Sequence, residues 1–324
     1  MTAPAIHASI DDLLGARSGR FFGERYRLVG QELTVRDRWS DPSGAVGLSG
    51  NVVIAYPDAW STKGTRAVRP HVSTIDGAVT ASLCASALLA SDPHVFAAQI
   101  EKAWISDLRL MAGGTPQEDA ESVALLAVVT GRHEGDGATM IDVDANLGSM
   151  RLLFTVTVIG RARLEDLRTD GAARPLVGTG YVGGVLDLRS VVIDRDRRTC
   201  TAELSRSGAA TPPGRAMVAA GHRDHHTDVE HIVAVAQAAQ ALLYDLDGVS
   251  RASSNTLWMR SYHAVRTLAP VAFDGPAALR SSIVDHETVE MTDGLWSVSE
   301  WEASCADVTS TFEVAHRLPD GARR

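Results

Sequence analysis

His71 and His225 are the residues in this 324-residue chain whose setting best suits chemistry. Each lies two positions ahead of a hydroxyl-x-x-carboxylate pattern, Ser73-Thr-Ile-Asp76 in one case and Thr227-Asp-Val-Glu230 in the other. Such a pattern caps a helix. The hydroxyl accepts from the N–H three residues on, and the carboxylate accepts from the cap residue's own N–H. An imidazole just ahead of that cap sits near the positive end of a helix dipole. There the imidazolium is disfavoured and the ring stays neutral near pH 7, as a general base must be. The plainer alternative is a histidine that only packs at a helix entrance. Asp76 and Glu230 are accounted for by capping. Thr74 and Asp228 hold the second place of each box without a capping duty, and Asp228 could orient an imidazole.

A second group precedes the first box. Trp60, Ser61, Thr62 and Lys63, followed by Arg69, gather an aromatic ring, two hydroxyls and two cations. They read either as a solvated loop or as a loop over a site entrance that grips a polar or anionic substrate group. With Ser73 and Thr74 they make up the candidate substrate-binding set. Trp104 and Trp258 read as core. The run from His222 to His231 is rich in ligand-type side chains, but it has no H-E-x-x-H pattern and crosses a helix start, so no metal site is assigned. Gly178-Thr-Gly-Tyr-Val-Gly183 matches a dinucleotide-binding pattern but is followed by a strand and no helix, and reads as a turn. No cofactor is expected.

The elements that must position these residues come in two copies. Sliding His71 onto His225 without a gap brings Val79 onto Val233, Ala85 onto Ala239, Ala87-Leu-Leu89 onto Ala241-Leu-Leu243 and Trp104 onto Trp258. Gly77 to Ala90 and His231 to Tyr244 are Ala- and Leu-rich and apolar on most faces, as in a helix buried on nearly every side. The first should stop before Asp92-Pro93 and the second at Asp247-Gly248. Period-two patterns follow each helix. They predict strands over Gln99 to Leu110, Val123 to Arg132, Thr139 to Leu147 and Leu152 to Ile159. In the second half they fall over Thr256 to Leu268, Leu279 to Val289, Leu295 to Ala303 and Val308 to Ala315. Ahead of the helices lie Tyr26 to Arg38 with Gly50 to Ala55, and Val185 to Ile193 with Thr199 to Ser205. One helix per five or six strands can be buried on most faces only if the sheet curls around it. The expected fold class is therefore α+β, a double hotdog: two repeats of a curled antiparallel sheet around a long helix. The halves span residues 1–160 and 178–324, joined by a charged linker over 161–177.

Composition narrows the function classes. The formal charge of −9 opposes nucleic acid and anionic membranes as partners. Only Lys63 and Lys102 are lysines; the remaining basic charge is arginine. The longest apolar run, Val123 to Val129, falls far short of the roughly 20 residues of a membrane span. Residues 1–20 lack a secretory pattern, with Asp11 and Asp12 interrupting them. Cys84, Cys200 and Cys305 show no pairing or metal spacing. A cytoplasmic protein is expected, with a homodimer as its candidate assembly.

Several separated motifs resemble the AvrD family, the avirulence-protein-D or syringolide-synthase type. They are Ser9-Ile-Asp-Asp-Leu-Leu-Gly15, Gly19-Arg-Phe-Phe-Gly23, Trp60-Ser-Thr-Lys63 and Arg69-Pro-His-Val-Ser-Thr-Ile-Asp76, densest over residues 9–91. Arg223-Asp-His225, with Ala236-Gln237 further along, is similar to the AfsA group of butyrolactone-synthesis proteins. Both resemblances imply a β-ketoacyl thioester, on a carrier protein or coenzyme A, as substrate. The AvrD type implies joining of that chain to a small sugar such as xylulose by acyl transfer, followed by aldol-type closure to a syringolide- or butenolide-like lactone. The helix carboxylate usual in related dehydratases is replaced by Val79 and Val233, which argues against dehydration. Catalytic candidates are His71, His225 and Asp228. The competing expectation is a non-catalytic sensor of an acyl ligand or lactone.

Overall fold

A computed structural model describes residues 3–319 apart from 41–44, 59, 64, 165–174, 179–180, 209–216, 223 and 274. Most of the expected linker, Thr179 and Gly180 of the glycine run, and Arg223 lie outside the described residues. The first part of the chain runs β1 (Ala5–Ser9), α1 (Asp11–Leu14), β2 (Gly30–Ser40), β3 (Val46–Ala55), β4 (Thr62–Lys63), β5 (Arg66–Ala67) and α2 (Thr74–Ser91). It continues through α3 (Ala97–Lys102), β6 (Trp104–Met111), β7 (Val123–Gly135), β8 (Ala138–Leu147) and β9 (Met150–Ile159). The second part runs β10 (Leu176–Gly178), β11 (Val185–Asp194), β12 (Thr199–Ser207) and α4 (Asp228–Leu246). It ends with β13 (Leu257–Arg266), β14 (Ala277–Met291), β15 (Gly294–Cys305) and β16 (Val308–Arg317).

Among the described residues fourteen strands form one antiparallel sheet, in the order β1-β11-β12-β14-β15-β16-β13-β6-β9-β8-β7-β3-β2-β10. Each half of the sheet curls around its own helix, α2 or α4, and the fold is a double hotdog. Burial explains the curl. Ile75, Ala81, Leu83, Cys84, Ala85 and Leu89 of α2, with Ile232, Val235, Ala238, Ala239, Leu242 and Leu243 of α4, face protein in every direction. Small side chains let the strands approach closely, and the alternating strand residues close over them. The halves join edge to edge where β13 pairs with β6, Ser261 opposite Met111 and Val265 opposite Asp107.

Two short strands cross the expected boundary between the halves. β1, from the N-terminus, pairs with β11 of the second half, Ala5 opposite Ile193. β10 opens inside the stretch expected to be a linker, at Leu176, and pairs with β2 of the first half, Gly178 opposite Gln31. Each adds to an edge strand that would otherwise carry unpaired N–H and C=O groups. Gly178 is required there because α2 presses on β10. A Cβ at this position would stand 2.2 Å from Val79 Cγ1.

Strand expectations agree with the structure except at three starts, one of them β3, which begins at Val46 and not at Gly50. The stretch predicted to be extended from Gln99 begins as α3, because the Gln99 side chain accepts from Phe96 N–H at 3.0 Å and caps a short helix. The stretch predicted from Tyr26 begins as a 3-10 turn over Arg25–Leu28. Both capping boxes form as expected, and the helices begin directly after them, at Thr74 and Asp228, one turn ahead of the apolar stretches.

Candidate active site

The seam between the halves encloses a cavity of about 820 Å³. Its first-half wall carries Arg20, Trp60, Ser61, Lys63, His71, Ser73 and Thr74. From the second half come Gln240 of α4, Arg251 and Trp258, with Val289, Met291 and Trp296 on the β14–β15 hairpin. One region is therefore apolar and another holds cations and hydroxyls.

His71 stands at the N-terminus of α2, its ring 5.0 Å from that of Trp60 and 4.7 Å from that of Trp258. Its Nδ1 lies 3.3 Å from the Arg69 carbonyl, which can only accept, so Nδ1 carries the hydrogen. Nε2 is then the basic nitrogen. Burial between the two indoles holds the imidazole below its usual pKa, so the ring is neutral at pH 7. The residue is fixed from behind as well. Tyr56 Oη lies 2.7 Å from the His71 carbonyl and 2.9 Å from Asp76 Oδ2, its one proton serving either acceptor. Asp76 is fully buried and accepts from Ser73 N–H at 2.8 Å, Ser73 Oγ at 2.7 Å and Gln31 Nε2 at 2.8 Å. Gln31 Oε1 in turn accepts from Tyr181 Oη at 2.5 Å. The cap takes the Asp76 N–H, at 3.4 Å from Ser73 Oγ. The first N–H groups of α2, at Thr74 and Ile75, are left for an acceptor beside His71.

Of the residues picked from the sequence, Trp60, Ser61, Lys63, His71, Ser73 and Thr74 come together on this cavity. Thr62 instead turns its hydroxyl to the Gly19 carbonyl at 3.3 Å. Arg69 is turned to solvent and pairs with Glu118 at 2.6 Å, contributing only its carbonyl. His225 and Asp228 lie outside the cavity lining. His225 Nδ1 donates to the His222 carbonyl, and Asp228 is 3.5 Å from Arg266, which also pairs with Asp307. Trp258, expected in the core, lines the cavity and packs on His71, because the seam carries β13 over the first half. Arg20, Gln240 and Arg251 escaped sequence reasoning. Arg20 sits inside the Gly19-Arg-Phe-Phe-Gly23 motif, which was the available signal; Arg251 had none.

The corresponding ground in the second half is filled by its own chain. Ala219 N–H donates to the Ala103 carbonyl at 2.8 Å and Gly221 N–H to that of Glu101 at 2.6 Å. His222 Nε2 donates to the Lys102 carbonyl at 2.8 Å. The His222 ring then stands between Trp104, at 6.0 Å, and His225, at 6.2 Å. So His71 touches the tryptophan of the opposite half directly, whereas His225 is separated from its counterpart by an inserted ring.

Burial of these second-half histidines has a measurable consequence. Desolvation lowers His225 to about 4 and His231 to about 3, and pushes His226 well below 6.5. Below pH 6.5 the unfolded chain takes up protons that the folded chain refuses. Stability is therefore full above about pH 6.5 and declines as the pH falls towards 3, by at most about 1.4 kcal/mol per pH unit for each histidine. Thermal melts at pH 7.5 and pH 5 should show the lower midpoint at pH 5.

The family model described as Pseudomonas avirulence D protein (AvrD) matches residues 5–319. The chain belongs to the AvrD family. No curated protein sequence matches this AvrD-family chain. Among solved structures it is similar to an acyl-CoA thioesterase II, TesB2, from Mycobacterium marinum, at 12% identity over 89% of this chain and 97% of that one, with a TM-score of 0.37. It is also similar to the dehydratase domain of the CurJ module of curacin polyketide synthase, at 8% identity over 90% and 99% of the two chains, TM-score 0.38. The dehydratase domain of RzxB from Pseudomonas fluorescens aligns at 12% identity over 88% and 98%, TM-score 0.38.

Proposed function

We propose that this AvrD-family protein transfers a β-ketoacyl chain from a carrier-protein or coenzyme A thioester to a hydroxyl of a small ketose such as xylulose. The observation that carries the reading is His71: a neutral imidazole with Nε2 free, clamped between Trp60 and Trp258 beside the unused N–H groups of α2. In this reading Nε2 takes the proton of the attacking hydroxyl. The oxygen then adds to the thioester carbonyl, whose developing negative charge is met by the Thr74 and Ile75 N–H groups. The C–O bond forms, the C–S bond breaks, and the proton passes from His71 to the departing thiolate. The apolar region around Val289, Met291 and Trp296 suits the acyl chain. The β-ketoester product has an acidic carbon between two carbonyls, which can add to the sugar's ketone and close a lactone-forming ring.

The test is thiol release in the presence of xylulose, with product mass followed in parallel. His225→Ala should keep release within about twofold of the wild type, since His225 lines none of the cavity. The acid limb of kcat/KM should fall below pH 6.5. A general base is active when deprotonated, and burial places the His71 pKa under its ordinary value. A limb centred above pH 7 would exclude His71 as the base. Tight binding of a β-ketoacyl lactone without any thiol release would favour the sensor instead.

A further inference from the structure

Lys63, Arg251 and Arg20 converge on the polar region of the cavity, in a chain whose net charge is −9. Lys63 is only 7% exposed, and among the described residues its ammonium has neutral partners alone: Ser254 Oγ at 3.1 Å, Tyr244 Oη at 3.4 Å and the Asn255 carbonyl. Arg251 Nη2 reaches Ser61 Oγ at 3.4 Å and no carboxylate among the described residues. Arg20, 3% exposed, hydrogen-bonds Gln237 Oε1 at 2.9 Å and pairs with Asp11, the carboxylate in direct contact with any of these three cations among the described residues. Glu287 and Glu313 also line the cavity, but neither pairs with these cations.

Buried like charges without counterions are costly, and they normally have one. Lys63 and Arg251 repel each other, as do Arg251 and Arg20. Desolvation and this repulsion together bring Lys63 down to about 7 and Arg20 to about 10. Two further donors at the same wall are also buried without an acceptor among the described residues, Trp60 Nε1 and Arg20 Nε. Cations and spare N–H donors meeting in one half-enclosed space are complementary to a compact, multiply charged oxyanion.

We propose that Lys63, Arg251 and Arg20 form a subsite for a phosphate monoester, and that the ketose acceptor enters as its phosphate. The identity of the phosphate carrier rests on the acyl-transfer reading; the anion subsite does not. A phosphate there would supply the missing counter-charge and hold the sugar by its far end, leaving its free hydroxyls towards His71.

Calorimetric titration of the full chain with xylulose, xylulose 5-phosphate, inorganic phosphate, coenzyme A and pantetheine tests this directly. The proposal expects xylulose 5-phosphate to bind at least about tenfold more tightly than xylulose. Lys63→Met and Arg251→Gln should each erase most of that preference while retaining the wild-type melting temperature within a few degrees. Equal affinity for the two sugars in the folded wild type, with coenzyme A binding no more tightly than pantetheine, would overturn the subsite. So would a preference that survives in both folded variants. Tight coenzyme A against weak pantetheine, with no preference between the sugars, would overturn the ketose assignment and place the phosphate on the thioester arm. Because binding is read without turnover, a phosphate preference in a protein that releases no thiol would leave the subsite standing and count against acyl transfer alone.

Discussion

Replacing His71 with alanine is expected to lower kcat/KM for sugar-dependent thiol release by about 10²- to 10⁴-fold, the range general-base catalysis usually supplies. The size follows from the geometry. Nδ1 is held by the Arg69 carbonyl, so Nε2 is the one basic atom between Trp60 and Trp258. Among the titratable residues of the cavity wall, Lys63 has its ammonium engaged by Ser254 and Asn255, and Glu287 and Glu313 sit on strands of the second half. His71→Gln keeps a polar side chain of similar size with no basic nitrogen, and should lose nearly as much. If His71→Gln kept more than a tenth of wild-type activity, the ring would be a packing element and the base would have to be sought elsewhere.

A second large effect is expected at Asp76, on stability as much as on activity. Its carboxylate is fully buried and engages Ser73, Gln31 and Tyr56 at once. Asp76→Ala removes half of the capping box and strands the Gln31 amide and the Ser73 N–H in a buried place. Each loss of that kind costs on the order of 1–3 kcal/mol, so a combined loss of about 3 kcal/mol or more is expected. The melting temperature should fall by at least about 5 °C. Activity should fall too, because Tyr56 would turn wholly to the His71 carbonyl and the cap that aims the first N–H groups of α2 would loosen. Asp76→Asn retains one acceptor oxygen and should be milder on both counts. Melts alongside single-turnover thiol release separate the two effects. An Asp76→Ala protein with unchanged melting would mean the network contributes nothing to the fold.

The helices and their caps were legible because their signals are local. Ser73-x-x-Asp76 and Thr227-x-x-Glu230 fix each helix start at the residue after its cap, and Ala-rich stretches apolar on most faces imply a wrapped helix. The exchange of β1 and β10 was not legible. Strands of five and three residues carry too little alternation to read, and their partners lie across the chain. The site divides the same way. His71 and Lys63 stand close to a readable cap, whereas Arg251 and Trp258 reach the cavity only through the β13–β6 seam. The two histidines look alike in sequence because their caps do. They differ in the fold because the segment ending at His222 fills one site, while the loop carrying Lys63 leaves the other open.

The most direct measurement mixes purified protein with a β-ketoacyl thioester and xylulose or xylulose 5-phosphate, following free thiol and product mass together. The account predicts thiol release that requires the sugar, a product with the mass of the ester or its dehydrated lactone, and silence from His71→Ala but not from His225→Ala. Thiol released at the same rate without sugar, with the free β-keto acid as product, would make the protein a hydrolase and contradict acyl transfer.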